Sequence, residues 1–238
     1  MIHKDGKRTT WYNNRIINDP TQDIFNADYW ANQKKIVGRA SGRGTTWFVQ
    51  LEQIQGALRH YFRGGFFGKI VKDSYFFLGW DKTRSAREFK LLLMLKTAGV
   101  NVPEPIAARA VRYYFTYKAD IISERIVNAQ DLVDLLQGSA LDSELYAEIG
   151  REIAKMHSVG VNHTDLNIHN ILIDKSRKVW IIDFDKCSLA RGEVYKKSNL
   201  ARLQRSFEKE ALRANIHWES KDFNYVLDGY KKYIEEVT

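Results

Sequence analysis

Between residues 163 and 185 the chain alternates polar loop, short apolar run, turn, short apolar run and polar loop. His163-Thr164-Asp165-Leu166-Asn167-Ile168-His169-Asn170 leads into Ile171-Leu172-Ile173, and Val179-Trp180-Ile181-Ile182 leads into Asp183-Phe184-Asp185. Apolar runs this short, bounded by turn residues, read as a pair of strands. The second run then presents Asp183 at a strand's end.

The pattern upstream differs from the pattern downstream. Residues 1–33 are polar and aromatic without a clear period and are expected to form a lead-in. Short strands follow at Ile36-Val37, Thr45 to Leu51 (Trp47, Val49 and Leu51 on one face) and Ala57 to Phe62. A helix is expected from near Ser85, with Gly99 as its stop, and strands again from about Pro105 to Ile126. Helices are expected at Asp131–Leu136 and Asp142–His157, the latter with Leu145, Ile149, Ile153 and Met156 on one face and Gly160 as its stop. Beyond the strand pair at 171–182, helix is expected to the end. Strands first and helices later predict an α+β chain, with a sheet-bearing part over 1–126 and a mainly helical part over 127–238.

Asp165 and Asn170 stand five apart, and Asp183 follows the second strand. Phosphoryl transfer asks a protein for positioning and charge neutralisation. One carboxylate must orient and accept the proton of the attacking hydroxyl. A second carboxylate and an amide suit Mg²⁺, a hard cation that prefers oxygen ligands. The Asp-x-x-x-x-Asn spacing resembles the catalytic loop of the protein-kinase-like superfamily. That resemblance implies a two-lobed fold, ATP and Mg²⁺ as cofactors, Asp165 as the base, and Asn170 and Asp183 as metal ligands.

The same resemblance asks the first part for a phosphate cover and a cation. Gly42-Arg43-Gly44 stands at a strand–strand turn, where it reads either as the start of a glycine-rich ATP-binding loop or as a plain hairpin turn. The usual third glycine is replaced by Trp47. No lysine occupies the third strand, so Arg59 is the candidate cation, with a surface arginine as the alternative. Glu88 either closes a capping box with Ser85 or, sharing a face with Leu92 and Leu95, pairs with Arg59. Glu124 and Ile126, in Ser123-Glu124-Arg125-Ile126, fall where a hinge would contact adenine. His157, His163 and His169 read as structural, and Cys187 as a small buried residue.

Only 55 residues follow Asp183, too few for a long activation segment plus a peptide-binding helical region. Asn167 stands where protein kinases carry lysine, and no Ala-Pro-Glu follows, so a small-molecule or glycolipid acceptor is expected. Net charge is +8, unevenly spread: residues 1–120 carry 20 Lys/Arg against 10 Asp/Glu, and residues 121–238 carry 17 against 19. Such asymmetry favours an anionic partner over a cationic aminoglycoside. Between 198 and 213, Leu200, Leu203, Phe207 and Ala211 form one helical stripe, while Arg202, Arg205, Lys209 and Arg213 form another nearly opposite. The basic stripe reads as a solvated surface or as a surface for anionic lipid. No nucleic-acid module is recognisable, so nucleic acid is not expected as a partner. No apolar leader is expected at the N-terminus, and no apolar run is long enough to span a bilayer.

Leu58-Arg59-His60-Tyr61-Phe62-Arg63-Gly64-Gly65, Thr83-Arg84, Arg87-Glu88-Phe89, Asp165-Leu166-Asn167 and Ile182-Asp183-Phe184-Asp185-Lys186 together resemble the 3-deoxy-D-manno-octulosonic acid (Kdo) kinases, over roughly residues 36 to 213. The resemblance implies phosphorylation of the 4-hydroxyl of Kdo on a Kdo–lipid A precursor, an anionic glycolipid of lipopolysaccharide biosynthesis. It also implies peripheral contact with the anionic membrane on the cytoplasmic side of the inner membrane. Asp185 stands where the wider superfamily has glycine, so the backbone freedom of a hinge is not expected there. The alternatives are another sugar or heptose kinase of lipopolysaccharide assembly and a non-catalytic binding module on a kinase scaffold. The complete Asp165, Asn170 and Asp183 set argues against the second.

Overall fold

The computed structural model describes residues 1–21, 23–41, 44–63 and 73–237. By internal contacts the chain divides into two compact units: Met1–Leu93 with Pro103–Ile126, and Met94–Val102 with Val127–Thr238. The fold is α+β, with an antiparallel sheet in the first unit and mainly helix in the second.

The first unit opens with a hairpin, β1 (Ile2–Asp5) and β2 (Arg8–Tyr12). Helix α1 (Ala27–Asn32) follows, capped by Asn26, whose side chain accepts from the N–H of Asp28. Next come β3 (Ile36–Ser41), β4 (Thr45–Gln50), β5 (Gln55–His60), β6 (Tyr75–Phe76), helix α2 (Arg84–Thr97, of which residues 94–97 count with the second unit), β7 (Pro105–Tyr113) and β8 (Thr116–Glu124). The strand order is β1-β2-β7-β8-β5-β4-β3, with β6 paired to β8. The lead-in is therefore more than packing material: residues 8–12 pair with residues 107–111 and extend the sheet. Strand alternation sends Val49 and Leu58 to one face, where Ile24, Phe25 and Trp30 cover them in a buried apolar cluster.

The second unit contains β9 (Ala129–Asp131), α3 (Leu132–Gly138), α4 (Ser143–Ser158), β10 (Val161–Asn162), β11 (Ile171–Asp174), β12 (Val179–Ile181), β13 (Ser188–Leu189), α5 (Val194–Ala214) and α6 (Phe223–Val237). Asp131 and Asp142 cap α3 and α4, accepting from the N–H groups of Asp134 and Leu145, each at 2.9 Å. Gly99 and Gly160 end α2 and α4 with positive φ, as their sequence positions predict. β11 pairs with β12 and with β9. One departure from expectation is β13, which pairs with β10 in a stretch read as helix. Helices α4 and α6 meet at two glycines: a methyl group on Gly150 would collide with the carbonyl oxygen of Val226, and one on Gly229 with that of Ala147.

Candidate active site

In the second unit, Asp165 sits in the turn between β10 and β11. Its carbonyl oxygen accepts from the side-chain amide of Asn167 at 2.8 Å and from that of Asn170 at 2.9 Å. Asn167 also accepts from the N–H of His169 at 2.9 Å, opening a single 3-10 turn over Ile168–Asn170. The loop is thus closed by its own side chains, as Asn favours. Because the NH₂ of Asn170 is committed to Asp165, the orientation of its amide oxygen is set.

Asp183 is tied to the same loop through its neighbours. The N–H of Ile182 donates to the carbonyl of Asn170 at 3.0 Å. The Nε2–H of His163 donates to the carbonyl of Ile182 at 3.0 Å, and the His163 ring meets Phe184 edge-on at 4.9 Å. Burial pushes the pKa of His163 down, so the ring is neutral and acts as a clamp between the two loops. Asp183 has φ +65°, a conformation that non-glycine residues adopt at a cost. Positive φ falls on Asp183 and not on Asp185, so the chain turns here without a glycine at 185.

The Asp183 carboxylate and the Asn170 amide oxygen are hard donors of the kind Mg²⁺ prefers, and their loops are bonded to each other through Ile182 and Asn170. Among the described residues no group of three or more His, Cys, Asp or Glu side chains is placed to hold a metal, so a soft or histidine-rich centre finds no support.

In the first unit, Arg59 on β5 donates to Glu88 on α2 at 2.6 Å. The other carboxylate oxygen of Glu88 accepts from the hydroxyl of Tyr61 at 2.5 Å. Glu88 is buried while Arg59 keeps 30% of its side chain exposed, so the carboxylate is an anchor and the guanidinium reaches outward. The capping-box reading of Glu88 is not what the helix uses: α2 begins at Arg84, and the hydroxyl of Ser85 donates to the carbonyl of Arg109 at 2.9 Å.

Gly44 immediately precedes β4, where a methyl group would collide with the ring of Phe62. Gly42 and the aromatic stretch at 64–72 lie outside the described residues. Glu124 ends β8; its carboxylate accepts from the N–H of Glu104 at 2.9 Å, and Ile126 follows, half-buried. Gly44, Arg59, Glu88, Glu124 and Ile126 all belong to the first unit, and Asp165, Asn170 and Asp183 to the second. His169 lies 3.3 Å from Asp131 and 3.6 Å from Glu210, and Cys187 is buried.

Three supporting residues escape the motif reading. Asn199 on α5 accepts from the N–H of His163 at 2.9 Å, and Ser206 on the same helix accepts from the N–H of Ile168 at 3.0 Å. Tyr61 is the third. Asn199 had a legible signal: with Leu203, Phe207 and Glu210 it lies on the buried stripe of α5, where a polar residue needs a partner.

Residues 27–230 match the lipopolysaccharide kinase (Kdo/WaaP) family. The chain belongs to that family. It is 60% identical over 227 residues to a 3-deoxy-D-manno-octulosonic acid kinase of Vibrio parahaemolyticus, covering 95% of each chain. It is 55% identical to one of Vibrio cholerae, covering 95% of this chain and 96% of that protein. A similar protein of Haemophilus influenzae, given the same name, is 47% identical over 220 residues, covering 89% and 91%. Among solved structures, the Cydia pomonella granulovirus kinase PK-1 aligns at 14% identity with a TM-score of 0.46, covering 65% of this chain and 52% of that one. The Kdo/WaaP family match takes in every described candidate residue from Gly44 to Asp183.

Proposed function

We propose that this chain is a Kdo kinase, transferring the γ-phosphoryl group of ATP to the 4-hydroxyl of Kdo on a Kdo–lipid A precursor during lipopolysaccharide biosynthesis. The observation that carries the reading is the hydrogen-bonded pair of loops bearing Asp165, Asn170 and Asp183. Its support is the family and the identity to proteins named as Kdo kinases.

Asp165 orients the acceptor hydroxyl and takes its proton as the oxygen attacks the γ-phosphorus and ADP departs. Asn170 and Asp183 would hold Mg²⁺, which would supply charge neutralisation at the phosphate oxygens. Arg59, held by Glu88, contributes a fixed positive charge to the ATP phosphates. Gly44, before β4, would help cover the phosphates together with Gly42, which lies outside the described residues, and Glu124 and Ile126 would contact adenine. His163 takes no part in proton transfer: it is neutral and spends its Nε2–H on a backbone carbonyl.

The acceptor is an anionic glycolipid, which fits the basic first half of the chain. Among the described residues no helix is long and apolar enough to cross a membrane. The chain acts as a peripheral protein at the cytoplasmic side of the inner membrane.

The test is transfer of labelled γ-phosphate to Kdo–lipid A precursor, with heptosylated and aminoglycoside acceptors beside it. Asp165→Ala is expected to abolish transfer while ATP binding stays within about twofold, since the base acts on the acceptor. Substantial transfer by that variant, or preference for a heptosylated acceptor, sinks the assignment.

A further inference from the structure

β6 and the β7–β8 hairpin sort their aromatic residues by strand alternation. Tyr75 packs at a tilt on Tyr117 at 5.5 Å and Phe77 meets Trp80 edge-on at 4.8 Å, so these rings are used inside the first unit. The alternate positions face outward: Phe76 and Leu78 are each 73% exposed, and at the hairpin tip Tyr114 and Phe115 are each 81% exposed. They are neighbours, because Phe76 pairs with Thr116 and the N–H of Phe77 donates to the carbonyl of Phe115 at 2.8 Å. Half-exposed Tyr113 completes the patch. Large apolar side chains clustered in this way on a surface mark an interaction site. Tyr114 is held there at φ +52°, where asparagine or glycine would be easier.

The patch is bordered by positive charge. Arg112 lies 4.7 Å from the Phe77 ring and donates to the carbonyl of Tyr114 at 2.8 Å, and Lys7 lies 5.5 Å from the Tyr114 ring. With Gly6, Trp80 and Tyr114, these two cations line a hollow of about 360 Å³. Among the acids of this part of the chain, Asp73 pairs with Lys118 at 2.8 Å and Asp81 with Lys90 at 2.7 Å. No carboxylate lies within salt-bridge distance of Lys7 or Arg112 among the described residues.

We propose that this surface docks the first unit onto an anionic phospholipid bilayer. Tyr113, Tyr114, Phe115, Phe76 and Leu78 enter the boundary between headgroups and acyl chains, and the Lys7–Arg112 hollow receives a lipid phosphate. A projecting hairpin tip of aromatic residues ringed by Lys and Arg has the chemistry of an interfacial membrane anchor, and its charge complements anionic headgroups. The inference deepens the membrane part of the reading above, which assigns no residues to lipid contact. It requires nothing of the phosphotransfer part.

Sedimentation of the full chain with phosphatidylglycerol–phosphatidylethanolamine vesicles, free of Kdo and ATP, tests it. Wild type is expected to pellet with these vesicles and weakly with phosphatidylcholine. Y114S/F115S and, separately, F76S/L78S are expected to weaken binding about tenfold or more, and K7A/R112A to weaken it and flatten its salt dependence. Transfer to a detergent-dispersed acceptor should be unchanged in Y114S/F115S. Undiminished pelleting of both aromatic variants overturns the proposal. So does loss of binding confined to R202A/R205A/K209A on α5, or a wild-type dimer that Y114S/F115S dissociates while vesicle binding persists. Patch-dependent pelleting by a protein that transfers no phosphate would refute the kinase reading and leave this one standing.

Discussion

The side-chain oxygen of Asn199 accepts the backbone N–H of His163 at 2.9 Å, so helix α5 holds the entrance of the Asp165 loop by one buried amide. That amide is itself held. Its oxygen lies 3.2 Å from His157 Nε2, its NH₂ donates to Asn162 at 2.9 Å, and His157 Nδ1 lies 3.0 Å from the hydroxyl of Tyr230. With the His157 ring neutral, the tautomer follows: Nε2–H donates to Asn199 and Nδ1 accepts from Tyr230.

Asn199→Ala should therefore lower kcat by about 10- to 100-fold while KM for ATP moves less than threefold, because the loop shifts but nucleotide contacts remain. Asn199→Asp keeps the accepting oxygens but loses the donor to Asn162 and buries a charge, so it should recover only part of the rate. Steady-state kinetics of the pair is the measurement. Equal losses in both variants would mean that the His163 bond is not what matters.

Glu88 is satisfied from two sides, by Arg59 and by Tyr61. Tyr61→Phe removes one hydrogen bond and should cost about 1 kcal/mol in urea unfolding. Glu88→Gln also removes the charge that holds Arg59, and should reduce kcat/KM for ATP more than Tyr61→Phe does. Reversal of that order would contradict the role given to Arg59.

Stability should fall in mild acid. Burial pushes the pKa of His157 down to about 4, and the Asn199 hydrogen bond offsets this only in part. The unfolded chain takes up this proton near pH 6.5, whereas the folded chain does so near 4. Stability is thus full above pH 6.5 and drops by about 3 kcal/mol on acidification to pH 4. His163, also shifted down by burial, acts in the same direction. His60 acts oppositely: burial opposes its charge, but Asp120 and Asp73 outweigh that and raise its pKa. Its contribution is full below pH 6.5 and is lost as pH rises through the raised value. His157→Gln should flatten the acid slope of a pH series of urea midpoints; an unchanged slope would exclude His157 as its source.

Gly229→Ala places a methyl group against the carbonyl of Ala147, where α6 crosses α4. Overpacking of this kind should cost about 1–3 kcal/mol, read from urea unfolding. Because Gly229 adjoins Tyr230, which reaches the Asp165 loop through His157 and Asn199, transfer measured well below the midpoint should fall as well.

What could be read along the chain was what depends on near neighbours. The strand pair after Asn170, the helix starts near Asp131 and Asp142 and the Gly99 and Gly160 stops each rest on a few adjacent residues, and each forms as its local pattern predicts. The spacing of Asp165, Asn170 and Asp183 is local too, which is why the candidate loops stood out before any coordinates. Contacts across long stretches of chain were not legible. Strand β2 joins β7 about 100 residues away, and Tyr61 reaches Glu88 across 27. Asn199 reaches His163 across 36. A hydrogen bond between distant residues leaves no periodic trace, because either partner alone is one polar residue among many. The outward aromatics at Phe76 and Phe115 show the same division: only the strand register sorts which rings are buried and which meet solvent.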